Sequence, residues 1–338
     1  MTASDRPTET AAPKDQRSSA SLSARTLGIK TLGIELTWRE LVPILSFFLL
    51  LTIAATFTDA FFTERNIGNL LRQIVANGLI SLGMLIVIVT GGIDLSVGSV
   101  VALGGVLFAG VADRLGIPAA LAAAVAAGTL AGLINGTIIS RFRLQPFIVT
   151  LATMGIIRGV VFIYTESPLS PRHEGFRELG AALIGPVSIG LLIMLACYLA
   201  ASFFLNRTAT GRATVAIGGN VEAVRLAGVN VPRTITIAYG LSGMLSALAG
   251  AILVSRLGIA QPSLGSAYEL DAIAACVIGG AVLGGGSGSV LGTLFGVFTL
   301  GIINNLMNLL GVKSFYQELV KGSVIILAVL LVARGRKS

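Results

Sequence analysis

Apolar runs of roughly 20 residues recur along the whole chain, and a helix of that length crosses about 30 Å of hydrocarbon. The runs lie near 41–62, 68–90, 95–112, 118–138, 146–164, 186–205, 234–255, 270–283, 288–309 and 317–333. They predict an all-α integral membrane protein with ten transmembrane helices. Of the 338 residues, 54% are hydrophobic and 12% are charged, about half the charged share of a soluble domain. The eighth run is the shortest and is followed by Gly284, Gly285 and Gly286. A broken or re-entrant segment is expected there, because irregular backbone at membrane depth is tolerated where protein surrounds it.

Ten crossings put both termini on one side of the membrane. The tails and the loops on that side carry fifteen Lys and Arg, and the opposite loops carry six: Arg65, Arg114, Arg172, Arg177, Arg256 and Lys313. This bias predicts cytoplasmic termini. The formal charge of +8 is spread through short loops and tails, so it reads as an orientation signal and not as a nucleic-acid footprint. Residues 1–35 are rich in Ser, Thr, Ala and charge and are expected to form a disordered cytoplasmic tail. They lack the apolar stretch and cleavage site of a secretory signal. Residues 36–338 form the transmembrane domain, whose longest cytoplasmic loop is 206–233.

Two segments echo one another: SVGSVVALGGVLFAG (96–110) and SGSVLGTLFGVFTLG (287–301). Each follows a glycine-broken apolar run. The echo suggests a repeat of spans 2–5 in spans 7–10, inverted because spans 2 and 7 run in opposite directions. Inverted repeats place a binding path at their interface.

Spans 2 and 3 are joined by Gly91-Gly92-Ile93-Asp94-Leu95-Ser96-Val97-Gly98-Ser99. Asp94 has two readings: a carboxylate capping the first turn of span 3, or, with Ser96 and Ser99, part of a translocation path or its gate. Asn304 and Asn305, with Asn308, interrupt an apolar run and either line a cavity or make interhelical hydrogen bonds. Glu269 and Asp271 stand at the start of span 8, where carboxylates are ordinary capping groups.

The long cytoplasmic loop contains Gly218, Gly219, Asn220, Glu222, Arg225, Leu226 and Gly228. Asn220 is a suitable N-cap, Glu222 lies at the positive helix end, Arg225 follows at i+3 and Gly228 supplies the stop. This is a two-turn helix outside the membrane with a small apolar face of Ala223, Leu226 and Ala227. It either lies on lipid or docks to a partner. No GxxxxGK[ST] phosphate loop is present, so this chain is not expected to hydrolyse ATP by that device. The one histidine, His173, has no second ligand nearby in sequence, and no metal site is expected. No nucleophile, base and orienting group can be assembled, so an enzyme is not expected.

Five segments, GGIDLSVGSVVAL, QPFIVTLATMGIIRG, AIGGNVEAVRLAGVNV, LDAIAACVIGG and NNLMNLLGV, together resemble the ribose-type permeases of bacterial ABC importers, within the branched-chain amino acid and ribose permease superfamily. The resemblance covers residues 40 to 335. It implies a multi-pass permease of the bacterial inner membrane that moves ribose or a related sugar. The partners it implies are a cytoplasmic ABC ATPase, an extracytoplasmic sugar-binding protein and a second permease copy, with membrane lipid around them. It implies no cofactor in this chain, since ATP and magnesium belong to the ATPase. Gly218 to Val229 is similar to the segment that docks into the ATPase and transmits its closure. The chain departs from the family pattern at Ala281-Val282, where Thr-Ser is usual, and at Leu306, where glycine usually follows the Asn pair. ABC permeases for amino acids or sugar alcohols are the nearest alternative. An ion-coupled secondary transporter is the second class; it needs buried ionisable groups, whereas Asp94, Glu269, Asp271 and Glu318 all fall near predicted span ends.

Overall fold

A computed structural model describes residues 38–326 apart from 186, 314, 324 and 325. The expected tail and much of the last apolar run lie outside the described residues. All but Trp38 of the described residues belong to one compact unit. The helices in chain order are α1 (Trp38–Phe57), α2 (Glu64–Ile88), α3 (Val97–Phe142), α4 (Pro146–Tyr164), the short α5 (Glu178–Ala181), α6 (Ile189–Arg207), α7 (Ala209–Gly219), α8 (Val221–Leu226), α9 (Val231–Leu257), α10 (Tyr268–Ile278) and α11 (Val290–Leu309). Residues 315–323 form α12. The one small sheet is a hairpin of β1 (Leu183–Ile184) with β2 (Val187–Ser188).

Six of the described helices, α2, α3, α4, α6, α9 and α11, are long and apolar enough to cross a membrane. Helix α3 runs for 46 residues but breaks at Gly116, whose torsions of φ 78° and ψ 169° are not helical. Its two halves are the third and fourth expected spans. Helix α1 contributes a shorter apolar stretch, Leu41–Phe57. Helix α10 has only 11 residues, about 16 Å at 1.5 Å per residue, which is half a bilayer.

Local chemistry sets the helix starts. Thr63, Ser188, Asn230 and Ser289 cap α2, α6, α9 and α11, their side-chain oxygens accepting from backbone N–H groups of the first turn, which leaves fewer orphan donors in a solvent that offers none. Pro146 opens α4, where its missing N–H costs nothing.

Helix α9 is the centre of the packing, with α2 on one side and both halves of α3 on another. Small residues allow this. A Cβ on Gly104 or Gly128 would strike Ala247, one on Gly132 would strike the Tyr239 carbonyl, and one on Gly250 would strike that of Val101. The same contacts fix direction. Along the first half of α3, Asp94, Val101 and Gly105 meet Ser242, Gly250 and Val254 in turn, so that half runs parallel to α9. The first half of α3 therefore starts well inside the bundle. Gly98 lies about 15 Å along the axis from Leu257, the last residue of α9, at 1.5 Å per residue.

At that depth the segment between α9 and α10 reaches in to meet it. A Cβ on Gly98 would strike the Gly265 carbonyl, and a Cβ on Gly265 would strike that of Gly98. Two half-helices, the first half of α3 and α10, thus begin back to back inside the bundle, each fed by a turn from one member of the antiparallel α2–α9 pair. This is the geometry of an inverted repeat in which α2 corresponds to α9 and the start of α3 to the start of α10. The sequence echo matched the wrong partners. It likens the start of α3 to the start of α11, which run in the same direction, because glycine and aliphatic residues serve the same packing need in both.

The reciprocal glycine contact leaves no room for a side chain, and Gly265 has φ 77°. Gly98→Val and Gly265→Val should each destabilise the protein by about 1–3 kcal/mol through overpacking, with a further ~1–2 kcal/mol at Gly265 from left-handed backbone. Melting temperatures of purified protein in detergent check this, with Gly322→Val, at an exposed position with nothing within 4 Å of a Cβ, as the neutral control.

Candidate functional site

The loop between α6 and α9 folds as two capped helices. Thr208 caps α7, its Oγ1 accepting from Gly211 N at 3.0 Å. Asn220 ends α7 and caps α8, its Oδ1 accepting from Ala223 N at 3.0 Å. Glu222 and Arg225 pair at 2.7 Å. Both are exposed, so the pair orders the helix surface more than it stabilises the fold. Gly228 has φ 81°, and its N–H donates to the Arg225 carbonyl while Val229 N–H donates to that of Val224, which closes the helix end. No residue of α8 is buried, and Leu226 is 83% exposed. The helix therefore presents an uncovered apolar side.

The corner between α7 and α8 is pressed into the body. A Cβ on Gly218 would strike the Val89 carbonyl and Gly286 N, and Gly285 lies against both Gly218 and Gly91. Gly286 N–H donates to the Val89 carbonyl at 3.0 Å. Three chain segments meet here through backbone alone: the end of α2, the α10–α11 turn and the α7–α8 corner. Gly91, Gly285 and Gly286 all have positive φ, which only glycine adopts freely.

A few residues beyond Val89, the chain reaches Asp94, which is 1% exposed. Its Oδ1 accepts from Ser96 N at 3.1 Å and Ser96 Oγ at 2.6 Å, and its Oδ2 accepts from Ser242 Oγ at 2.9 Å. Ser96 Oγ in turn accepts from Asn135 Nδ2 at 3.0 Å, and Asn135 Oδ1 accepts from Thr153 Oγ1 at 2.6 Å. Tyr239 and Thr150 hydroxyls donate to the Ile93 carbonyl. One buried network thereby joins both halves of α3, α4 and α9. The capping reading of Asp94 needs correction: Ser96 is the N-cap and makes no side-chain cap bond, and Asp94 binds the N–H of Ser96 itself, not one of the first helical turn. It ties the turn to α9 instead. Ser99, fully buried, donates to the Ser96 carbonyl.

Asn304 and Asn305 are not part of this cluster. Asn305 and Asn66 exchange amide hydrogen bonds at 2.9 and 2.8 Å, joining the end of α11 to the start of α2, at the far end of α2 from Gly91. Asn304 is buried, and its Oδ1 has no hydrogen-bond partner among the described residues. Of the positions that depart from the ribose-type pattern, Ala281 is fully buried in the core.

Two cations hold α10. Lys321 on α12 pairs with Asp271 at 2.9 Å, and Arg158 on α4 donates to the Pro262 and Leu264 carbonyls at 2.7 and 2.8 Å. Ala267, just before α10, is held at φ 65°. Sequence reasoning gave Arg158 and Lys321, which fall in or near apolar runs, no role. Their signal was a lone cation in each of two apolar runs, with carboxylates at the start of the broken run between them. Reading Asp94 and Asp271 as span-end groups also needs correction, because Asp94 precedes the first half of α3 and Asp271 lies in the first turn of α10, and both helices begin inside the bundle. Proximity to a span end is therefore no argument against a buried coupling site.

Membrane-crossing helices, two half-helices that start at depth and a capped helix outside the apolar body describe a multi-pass membrane protein. The chain belongs to the family described as branched-chain amino acid transport system / permease component, whose sequence profile matches residues 66–329. It is 47% identical over 297 residues to the ribose import permease protein RbsC of Bacillus subtilis (strain 168), covering 87% of this chain and 92% of that one. It is 45% identical over 301 residues to the RbsC of Escherichia coli (strain K12), covering 86% and 93%. To the L-arabinose transport system permease protein AraH of the same strain it is 40% identical over 295 residues, covering 87% and 90%. No solved structure matches the chain.

Asp94→Leu leaves Ser96 and Ser242 without their acceptor, and an unsatisfied buried polar group costs about 1–3 kcal/mol. Asp94→Asn keeps an acceptor and should lose less. Thermal melts of Asp94→Asn, Ser242→Ala and the double variant should show coupling of at least ~0.5 kcal/mol between these contacting residues; additive losses would mean that the Asp94–Ser242 contact carries no stability.

Proposed function

We infer that this chain is the membrane-spanning subunit of an ATP-binding-cassette importer for a monosaccharide, ribose or a related pentose. Three relatives named for ribose and arabinose import, each matched along nine-tenths of its length, support the sugar. The observation that carries the mechanism is the backbone contact of Gly218 with Val89 and Gly286. In this reading α8 seats in a groove of a cytoplasmic ATPase, which binds ATP and magnesium, and both termini are cytoplasmic. When the ATPase closes, α8 moves, and Gly218 carries that motion without a compliant side chain between. Its two neighbours lead to the two half-helices, one through Asp94 and the other back along α10 to the loop that Arg158 holds. Their displacement opens and closes the route.

The route itself borders the face of α4 and the loop before α10. Gln261, Ser263 and Ser266 are exposed beside Arg158, and such groups are costly against lipid and useful against a polyhydroxylated solute. Gly155 and Gly159 on α4 have nothing within 4 Å, a small-residue face that suits close approach of a second copy. An external sugar-binding protein delivers the solute to the opposite mouth.

The test pairs two readouts in the same cells: uptake of labelled sugar, and copurification of the ATPase on tagged permease. Glu222→Lys turns the ion pair with Arg225 into a repulsion and opposes the helix dipole, and Gly228→Val strains the left-handed stop by about 1–2 kcal/mol. The double variant should reach the membrane at normal abundance, lose most uptake and retain little ATPase. Normal uptake with normal complex formation would reject the docking role of α8.

A further inference from the structure

On the same side as α8, the end of α3 and the start of α9 enclose an open pocket of about 380 Å³. Its walls include Arg141, Arg143 and Arg233 with the hydroxyl residues Thr137, Ser140 and Thr236, and no carboxylate lines it. Both ion pairs among the described residues lie elsewhere, so none of these three arginines is neutralised by a described carboxylate. The start of α9 adds the positive end of its helix dipole. Three exposed arginines with no described carboxylate partner and a helix N-terminus around one pocket favour an anion there.

The pocket does not stop at the surface. Thr137 also lines a second, apolar groove of about 310 Å³ with Leu130, Leu133, Ile134 and Ile138, running back along α3 into the membrane-spanning part. Phe142, the last residue of α3, and Phe147, in the first turn of α4, are exposed, as aromatic rings are at a membrane interface. A soluble phosphate compound would use the arginines and leave the groove empty. An acyl chain alone would do the reverse.

We propose that this pocket and groove together bind one anionic phospholipid, its phosphate on Arg141, Arg143 and Arg233 and one acyl chain along Leu130, Leu133 and Ile134. The placement on the cytoplasmic leaflet rests on the orientation inferred above; the binding itself does not. Basic pockets between transmembrane helices favour such headgroups at about 1 kcal/mol per cation. The bound lipid bridges α3 and α9 at the point where α9 leaves the α8 segment, and it holds the base of α9 against the end of α3.

The experiment uses delipidated, purified permease without partners, so its result does not depend on which solute the complex carries. Phosphatidylglycerol, phosphatidylcholine and inorganic phosphate are titrated against thermal stability, and native mass spectrometry counts retained lipid. Wild type should retain phosphatidylglycerol and melt at higher temperature with it, while phosphatidylcholine and inorganic phosphate have little effect. The triple variant Arg141→Gln, Arg143→Gln, Arg233→Gln should bind phosphatidylglycerol roughly 100-fold more weakly, at about a factor of five per cation. The corresponding triple Lys variant should keep most of the binding, and both should melt near the wild-type value in phosphatidylcholine, which separates lost binding from lost folding. Equal retention of the two lipids, undiminished binding by the Gln variant, or equal stabilisation by inorganic phosphate would overturn the proposal. A Gln variant that keeps its lipid yet no longer captures the ATPase would assign the arginines to the ATPase and overturn it too.

Discussion

Hydrocarbon offers no hydrogen bonds, so every turn that enters the bundle must bring or find its own partners. Asp94 solves this for the turn between α2 and α3. One carboxylate takes three donors, Ser96 N, Ser96 Oγ and Ser242 Oγ, and Asn135 and Thr153 extend the chain of bonds to the second half of α3 and to α4. The start of the first half-helix depends on it, as does the register of α3 on α9. The other half-helix is held by different means, the Arg158 guanidinium on two carbonyls and the Lys321–Asp271 pair. The two halves of the repeat have thus converged on one shape with unlike chemistry.

Glycine performs the mechanical part. Where α7 meets the body, the three segments touch through main-chain atoms, so in the proposed coupling no side-chain rotamer lies between them to absorb a displacement. The same property explains why α8 can be small. In the proposed docking it needs only to be gripped from outside, since main-chain contacts of Gly218 lead inward from there.

What was legible in the sequence was local. Asn220, Glu222, Arg225 and Gly228 spell their helix within nine residues, and caps, i+3 pairs and stops are short-range rules. Apolar run lengths gave the all-α membrane class, and the shortness of the eighth run foretold α10. What escaped was long-range. Nothing in the run 234–255 marks Ser242 as the partner of Asp94, 148 residues away, because serine is common in membrane helices. The Arg158 contacts, more than a hundred residues apart, were hidden for the same reason. Periodicity reports where a helix is apolar but not at what depth it starts, so Asp94 and Asp271 read as groups near span ends although both are buried within the bundle.

The break at Gly116 bears on how the chain is made. Helix α3 passes from its first half to its second across a single non-helical residue, Gly116, with Pro118 two residues on, so its two membrane crossings are joined only by a short turn beside Asp113 and Arg114. A ribosome-bound insertion channel handles spans as they emerge, and a connection this short gives it no loop to translocate separately. Insertion of the two halves as one hairpin is the expected consequence, and the Ser96–Asn135 hydrogen bond is one that such a hairpin can make before α9, synthesised later, arrives to complete the site.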